Sequence, residues 1–230
     1  MQLDVFISGE NIDLCVPTRE FAEKSDWYSW FNDPKITRYL QQGIFPNNPS
    51  MQVDFFEKQH KERLLLIISN KKEYLGVVSL SSIDFFKKSA QVALVVDSAV
   101  DVLKAPLISL EAIARITEHG FQIMGLNKIS GAQHINLSAG WGRRMELLGF
   151  RVEGINRQAC VKGHDIADGV WLAMVYDDYL TIKGNRGKYW DSAEKMEERI
   201  RKLPEKGFTD SLRTFMQKEG ESYYQNTYNL

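Results

Sequence analysis

The sequence predicts an α/β fold built on a mixed sheet, and three observations carry that prediction. Three β-rich stretches follow one another between residues 64 and 96, separated only by short polar turns. The hydrophobic period then changes: Leu110, Ile113, Ala114, Thr117, Phe121 and Met124 line one face of a long helix. After that come a short strand, a short helix and two further apolar segments, so strands and helices share one domain.

Taken in order, residues 12–16 read as an opening strand that ends at Pro17. Thr18 is placed to start a helix anchored by Phe21, Trp27 and Trp30. Asn32-Asp33-Pro34 breaks it and starts a second helix, with Ile36, Tyr39 and Leu40 as its apolar face. Ser50 caps a third helix running to about Arg63, with Val53, Phe55 and Phe56 inward. Strands follow at 64–69, 74–83 and 90–96, the last apolar almost without interruption, as a central strand covered on both faces should be. Gly125 stops the long helix. Residues 128–134 form a strand, and Trp141, Met145 and Leu148 a short helix closed by Gly149. Residues 150–161 and 170–179 make a final antiparallel pair. Beyond Tyr179 the composition becomes more charged. Two amphipathic helical stretches, with Trp190, Ala193, Met196, Ile200 and Leu203 and then Phe208, Leu212, Phe215 and Met216, point to a helical C-terminal extension over 180–230.

The totals narrow the function classes. The chain has 230 residues and a formal charge of −1, which favours neither nucleic acid nor an anionic membrane as a bulk partner. No apolar run reaches the ~20 residues that span a bilayer, and residues 1–14 lack the pattern of a signal peptide, so a cytoplasmic location is expected. Cys15 and Cys160 are too few and too far apart for a disulfide scaffold or a zinc site, so no metal is expected.

Several local motifs add a resemblance. Trp30-Phe31-Asn32-Asp33-Pro34 looks like a W-x-N-D-P segment, and Leu148-Gly149-Phe150-Arg151-Val152-Glu153-Gly154 is similar to an L-G-F-x-x-E-G junction between a last helix and the next strand. Residues 168–179 match a final strand with an acidic residue at its start, and 76–78 with 90–96 fit a central hairpin. In this order they resemble the GNAT N-acetyltransferase superfamily, nearest the branch of ribosomal-protein and nucleotide-amino-sugar acetyltransferases. The resemblance covers about residues 10–179, the expected catalytic domain. It implies a mostly antiparallel sheet with a central splay between two parallel strands, acetyl-CoA as co-substrate, and direct attack of an amine on its thioester. It also implies that backbone N–H groups near Leu94, Val95 and Val96 bond the thioester carbonyl. The start of the long helix is the implied pyrophosphate site.

The chain departs from that pattern in two places. Where the family carries a glycine-rich loop, this sequence has Lys104-Ala105-Pro106-Leu107-Ile108-Ser109. Pro106 lacks an N–H and Leu107 places a side chain where phosphate would approach, while Lys104 offers charge and Ser109 a cap and donor. Asn136, the candidate for the family's post-strand Asn, stands about two residues too far from Gly149, so the loop at 138–140 is expected to be longer. Met145 falls where other GNAT branches carry a tyrosine acid.

The candidate residues each have a structural and a functional reading. His134 is a general base or a hydrogen-bonded loop histidine. Asp97 and Ser98 line an acceptor site or end a strand, and Asp84 contacts an acceptor or closes a hairpin turn. Trp30, Asn32, Asp33 and Tyr39 roof an acceptor pocket or punctuate helices. Arg143 and Arg144 reach a CoA phosphate or stay solvated. Cys160 reads as core rather than nucleophile. The function expected is N-acyl transfer from acetyl-CoA to a small primary amine, with a nucleotide-linked amino sugar as preferred acceptor. A non-catalytic GNAT-shaped module, another acyl donor and a protein N-terminal acceptor are the alternatives. The extension is expected to pack on the domain or to join two copies as a homodimer.

Overall fold

The computed structural model of the chain describes residues 1–100 and 105–230. Val5–Ser8 (β1) and Asp13–Cys15 (β2) form an N-terminal hairpin. The sequence reading finds only the second of these strands. β1 escapes it because it is an edge strand with little burial, Val5 and Phe6 being about half exposed.

Four short helices follow. Arg19–Lys24 (α1) starts where expected, the Thr18 hydroxyl accepting from Phe21 N at 3.1 Å. Trp27–Trp30 (α2) and Pro34–Thr37 (α3) are single turns, and Asp33 caps α3 by accepting from Lys35 N at 2.8 Å. Tyr39 and Leu40 lie beyond α3 rather than on its face. The Thr37 carbonyl accepts from Leu40 N at 3.0 Å and from Lys162 Nζ at 2.5 Å, so the chain leaves α3 in a tight turn rather than a further α turn. Pro49–Gln59 (α4) is capped by Asn48, which accepts from Met51 N at 3.0 Å, not by Ser50. Pro49 fits the first helical position, where its missing N–H costs nothing, and this sets the start two residues earlier. α4 also stops at Gln59, short of Arg63.

The strands Leu64–Ser69 (β3), Tyr74–Asp84 (β4) and Ser89–Val96 (β5) come next. Ala105–Gln122 (α5) begins five residues before the stretch that its periodicity marks most clearly. Leu110, Ile113, Ala114, Thr117 and Phe121 face inward as predicted. Lys128–His134 (β6), Arg143–Leu147 (α6), Arg151–Lys162 (β7) and Asp165–Val175 (β8) complete the domain. The eight strands lie in the order β1-β2-β3-β4-β5-β6-β8-β7, and β5 with β6 is the parallel pair. The predicted mixed, mostly antiparallel sheet is therefore present. α1 to α4 cover one face, over a cluster around Trp27, Phe21 and Ile67. α5, α6 and the elements after β8 cover the other, over the larger core around Leu110, Ile129 and Phe150.

β5 departs from the expected burial. Only Ala90 is buried, and Gln91 and Ala93 are exposed. The reason lies in the register: β5 pairs with β6 only through Ser89, Ala90 and Gln91, so beyond Gln91 it has a neighbour on one side alone. On that remaining side the packing is close. A Cβ on Gly76 would lie 2.2 Å from the Val95 carbonyl oxygen, so only glycine fits there.

The additional residues before α6 do not lengthen a loop. Ile135–Leu137 coil as a 3-10 turn and Ser138–Gly142 as a π turn running directly into α6. An insertion after a strand can be absorbed as an over-wide helical turn because the backbone then keeps its hydrogen bonds. Gly149 closes α6 with φ +101°, as its position suggests.

The last strand ends earlier than predicted. β8 stops at Val175, and Tyr176–Arg186 (α7) takes the segment read as strand. Asp178 starts that helix, accepting from Val175 N at 3.2 Å, and Tyr179 is fully buried within it. Ala193–Arg201 (α8), Phe208–Phe215 (α9) and Glu221–Tyr228 (α10) follow. Tyr189, Trp190 and Met196 join the larger core, so this part of the extension packs on the domain. Among the described residues no helix is long and apolar enough to cross a membrane.

One ion pair in this region makes folding pH-dependent. Asp191 accepts from Arg199 at 2.7 and 2.6 Å, and these bonds hold its carboxyl at about 2, below the ordinary 3.8. A depressed folded value stabilises the protein fully above the unfolded value, and that contribution is lost as pH falls from about 4 towards 2. We expect Asp191→Asn to remove up to about 2 kcal/mol at neutral pH and almost nothing at pH 2. Urea unfolding of the two proteins across that range checks it, and parallel pH profiles would refute it.

Candidate functional site

The parting of β5 and β6 builds the site. Beyond Gln91 and Ser130 the two parallel strands diverge, β5 staying on β4 to Val96 and β6 on β8 to His134. Backbone groups of an antiparallel strand point alternately to its two sides. Asp97 N donates to Leu75 O on the β4 side at 2.7 Å, and a Cβ on Gly131 of β6 would lie 3.5 Å from the Val92 carbonyl oxygen. The alternation therefore turns the N–H groups of Leu94 and Val96 toward the splay and that of Val95 toward β4. Of the three backbone groups expected at the thioester, two face the wedge.

The roof is tied to the end of β5 by two side-chain bonds. Trp30 Nε1 donates to Asp97 Oδ2 at 3.1 Å, and the Ser98 hydroxyl donates to Asp33 Oδ2. Asp33 is held below the ordinary carboxylate range by that hydroxyl first and by Lys35 N second. Asp97 Oδ1 also accepts from Ala99 N at 3.0 Å. Asp97, Ser98, Trp30 and Asp33 thus come together, and what they do here is clamp α2 and α3 to the strand. Asn32 does a similar job one step away, its amide exchanging two hydrogen bonds with the Asn47 backbone at 2.8 and 2.6 Å.

His134 ends β6, is 7% exposed, and lies with its ring 4.6 Å from that of Tyr39. Its Nδ1 accepts from Asn136 N at 3.2 Å, which leaves the proton of the neutral ring on Nε2. In this state His134 is a hydrogen-bond donor rather than a base. The tip of the β7–β8 hairpin closes over it: Lys162 Nζ donates to the carbonyls of Thr37 and Gln42, at 2.5 and 2.9 Å. A polar cavity of about 70 Å³ lies between Tyr39, His134, Cys160 and Lys162. Burial first, and the Asp168 charge second, push the Cys160 thiol upward, so it stays protonated and unsuited to attack. The hairpin's part in the site has no local signal in the sequence, because Lys162 is one surface lysine among many until the fold brings it to Thr37.

The predicted donor-side residues are not all available. Lys104 lies outside the described residues. Ser109 is the fifth residue of α5 and buried, so it does not cap the helix. Leu107, the third residue of α5, packs partly against the larger core. Pro106, the second residue of α5, has no N–H to offer there. Asn136 is exposed. Arg143 is engaged, donating from NH1 to the carbonyls of Pro204 and Glu205 and from Nε to Ala139 O at 2.5 Å. Arg144 is partly buried, and that burial, with the Arg143 charge, lowers its pKa.

Asp84 is not brought to the site. It accepts from Phe86 N and Lys87 N at 2.9 and 2.8 Å, closing the β4–β5 turn. It pairs with Ser89 at the opposite end of β5 from Val96, roughly 20 Å away along an extended strand.

One residue the sequence reading passes over stands at the wedge. Gln133, next to His134 on β6, is 9% exposed, and neither its amide oxygen nor its nitrogen has a hydrogen-bond partner. It points to the helix side of the sheet, since a Cβ on Gly142 of the π turn would lie 2.5 Å from its Nε2.

No family model and no curated protein matches the chain. Solved structures do. Over 73% of this chain and 93% of its own, the microcin C7 self-immunity acetyltransferase MccE, in complex with acetyl-CoA and AMP, is similar at 23% identity with a TM-score of 0.60. The ribosomal L7/L12 alpha-N-protein acetyltransferase RimL, in complex with coenzyme A, is 14% identical over 76% of this chain and 99% of its own, with a TM-score of 0.65. A GNAT-family acetyltransferase from Bacillus anthracis is 18% identical over 74% and 98%, with a TM-score of 0.61. At these identities the likeness is one of fold.

Proposed function

We propose that this chain, which has the GNAT fold, moves an acetyl group from acetyl-CoA to a primary amine. The observation that carries this reading is the wedge between β5 and β6, with the N–H groups of Leu94 and Val96 on its open edge. Acetyl-CoA supplies an activated acyl carbon. The chain's own part is to hold the carbonyl oxygen on those two N–H groups, where negative charge develops during attack. As the amine nitrogen bonds to that carbon and the carbon–sulfur bond breaks, one proton leaves the amine and one is needed by the thiolate. Water carries the proton from the amine to the thiolate, and His134, whose neutral ring keeps its Nε2 proton, serves as a hydrogen-bond donor rather than as the acid. Trp30, Asp33, Asp97 and Ser98 position the roof over β5 rather than take part in chemistry. For the acceptor we take a nucleotide-linked amino sugar first. The W-x-N-D-P resemblance motivates it, and the nucleotide bound beside acetyl-CoA in the MccE complex supports it.

A pair of proline variants tests the wedge. Val96→Pro removes an N–H that faces the splay and leaves the β4 ladder intact, whereas Val95→Pro removes a ladder bond. We expect Val96→Pro to stay folded and to lose about 100-fold in acetyl-CoA-dependent thiol release. Full activity in folded Val96→Pro would remove that N–H from the mechanism. A second reading, a non-catalytic module of the same fold, is favoured by the missing glycines between Lys104 and Ser109. Absence of coenzyme A binding, with silence toward every UDP- and dTDP-amino sugar, polyamine and amino acid tried, would establish it instead.

A further inference from the structure

Buried polar groups in folded proteins are almost always paired, because a donor or acceptor stripped of water and left alone costs about 1–3 kcal/mol. Gln133 breaks this rule twice, with both ends of its amide unpaired. Its position is not arbitrary. Ile129, four residues earlier and on the same face of β6, meets Gly120 of α5 in ordinary core packing. Gln133 stands further along, where β5 has left and the strand has lost its parallel neighbour. Opposite it the π turn brings Gly142, where any side chain would strike the amide nitrogen. The π turn and the absence of a side chain at Gly142 leave space for this amide on the helix side of β6.

We propose that Gln133 is a donor-positioning residue: its side-chain amide pairs with an amide of the pantetheine arm of the acyl donor. This rests on the acetyl-CoA reading above and adds to it the residue that fixes the donor's register along β6. An amide offers one donor and one acceptor, and a secondary amide of the arm offers the complement. The cost of the unpaired group in the ligand-free protein is then recovered on binding, so the residue trades stability of the free chain for affinity.

That trade gives the test two readouts of opposite sign. Gln133→Leu and Gln133→Met replace the amide with apolar groups of similar size. Coenzyme A alone is titrated by calorimetry into each variant and into the unaltered protein, and each thermal midpoint is measured without ligand. We expect both variants to bind coenzyme A at least tenfold more weakly while their ligand-free midpoints hold or rise. Binding unchanged in either folded variant overturns the assignment and leaves the acetyl-CoA reading standing. Midpoints that fall by more than a few degrees in both variants mean the amide has a structural partner, and this too overturns it. No binding by the unaltered protein overturns the donor reading along with this one.

Discussion

Glu111→Ala is expected to cost about 4 kcal/mol of folding stability. Glu111 lies on α5 and is fully buried, yet its carboxylate has nothing to do with the wedge. It accepts from the backbone N–H groups of Glu10 and Asn11, the latter at 3.0 Å, and from Arg115 at 3.1 Å. The β1–β2 turn is thereby fastened to the long helix, with Gly9 pressed so close that a Cβ there would meet Glu111 Oε1 at 2.6 Å. Removing the carboxylate leaves two backbone donors without partners and Arg115, largely buried, without its counter-charge. Breaking such a buried arrangement from one side costs about 3–5 kcal/mol, since the groups left behind cannot return to water. For a chain of this size that corresponds to a fall in melting temperature of about 10 °C. Glu111→Gln retains one acceptor oxygen and should lose roughly half as much. Urea unfolding decides the matter, and an alanine variant within 1 kcal/mol of the parent would show that the turn is held by something else.

Trp190→Ala is the second large effect, expected at about 4 kcal/mol. Trp190 is 4% exposed and belongs to the larger core although it lies beyond β8. Its Nε1 donates to Glu10 Oε2 at 2.9 Å, and the same oxygen accepts from Ala193 N at 2.8 Å at the start of α8. One turn of the N-terminal hairpin therefore receives α5 through its backbone and the extension through its side chain. Truncating the indole empties a core site and releases this bond together. Hydrogen exchange at the amides of α8 should accelerate more than exchange in α5, because the helix nearest the lost anchor opens first. Trp190→Phe keeps most of the apolar surface and loses only the bond, so a cost of about 1–2 kcal/mol is expected. Equal protection of α8 in the alanine variant and the parent would mean that the extension docks without the indole.

The sequence by itself determined those features whose causes lie within a few residues of one another. The apolar stripe of α5 is written in the spacing from Leu110 to Phe121, and the α1 and α3 starts in Thr18 and Asp33. The close of α6 is written in Gly149, the central β-rich block in its alternation, and the mixed sheet in the order of elements. Where local signals compete, the sequence misplaces the element. Ser50 looks like a cap until Pro49 occupies the first turn, and residues 176–179 look like strand until Asp178 caps a helix there.

What only the tertiary structure decided is the site. The splay arises because β5 and β6 share three residue pairs and then follow different partners, a matter of register between strands more than thirty residues apart. The clamps from Trp30 to Asp97 and from Ser98 to Asp33, and the hold of Lys162 on Thr37, join residues separated by 67, 65 and 125 positions. Gln133 carries no mark in its neighbourhood at all; it becomes conspicuous once burial leaves both ends of its amide unpaired. Periodicity and capping report energies set by neighbours along the chain, whereas hydrogen-bond satisfaction is settled only when distant segments exclude water from one another.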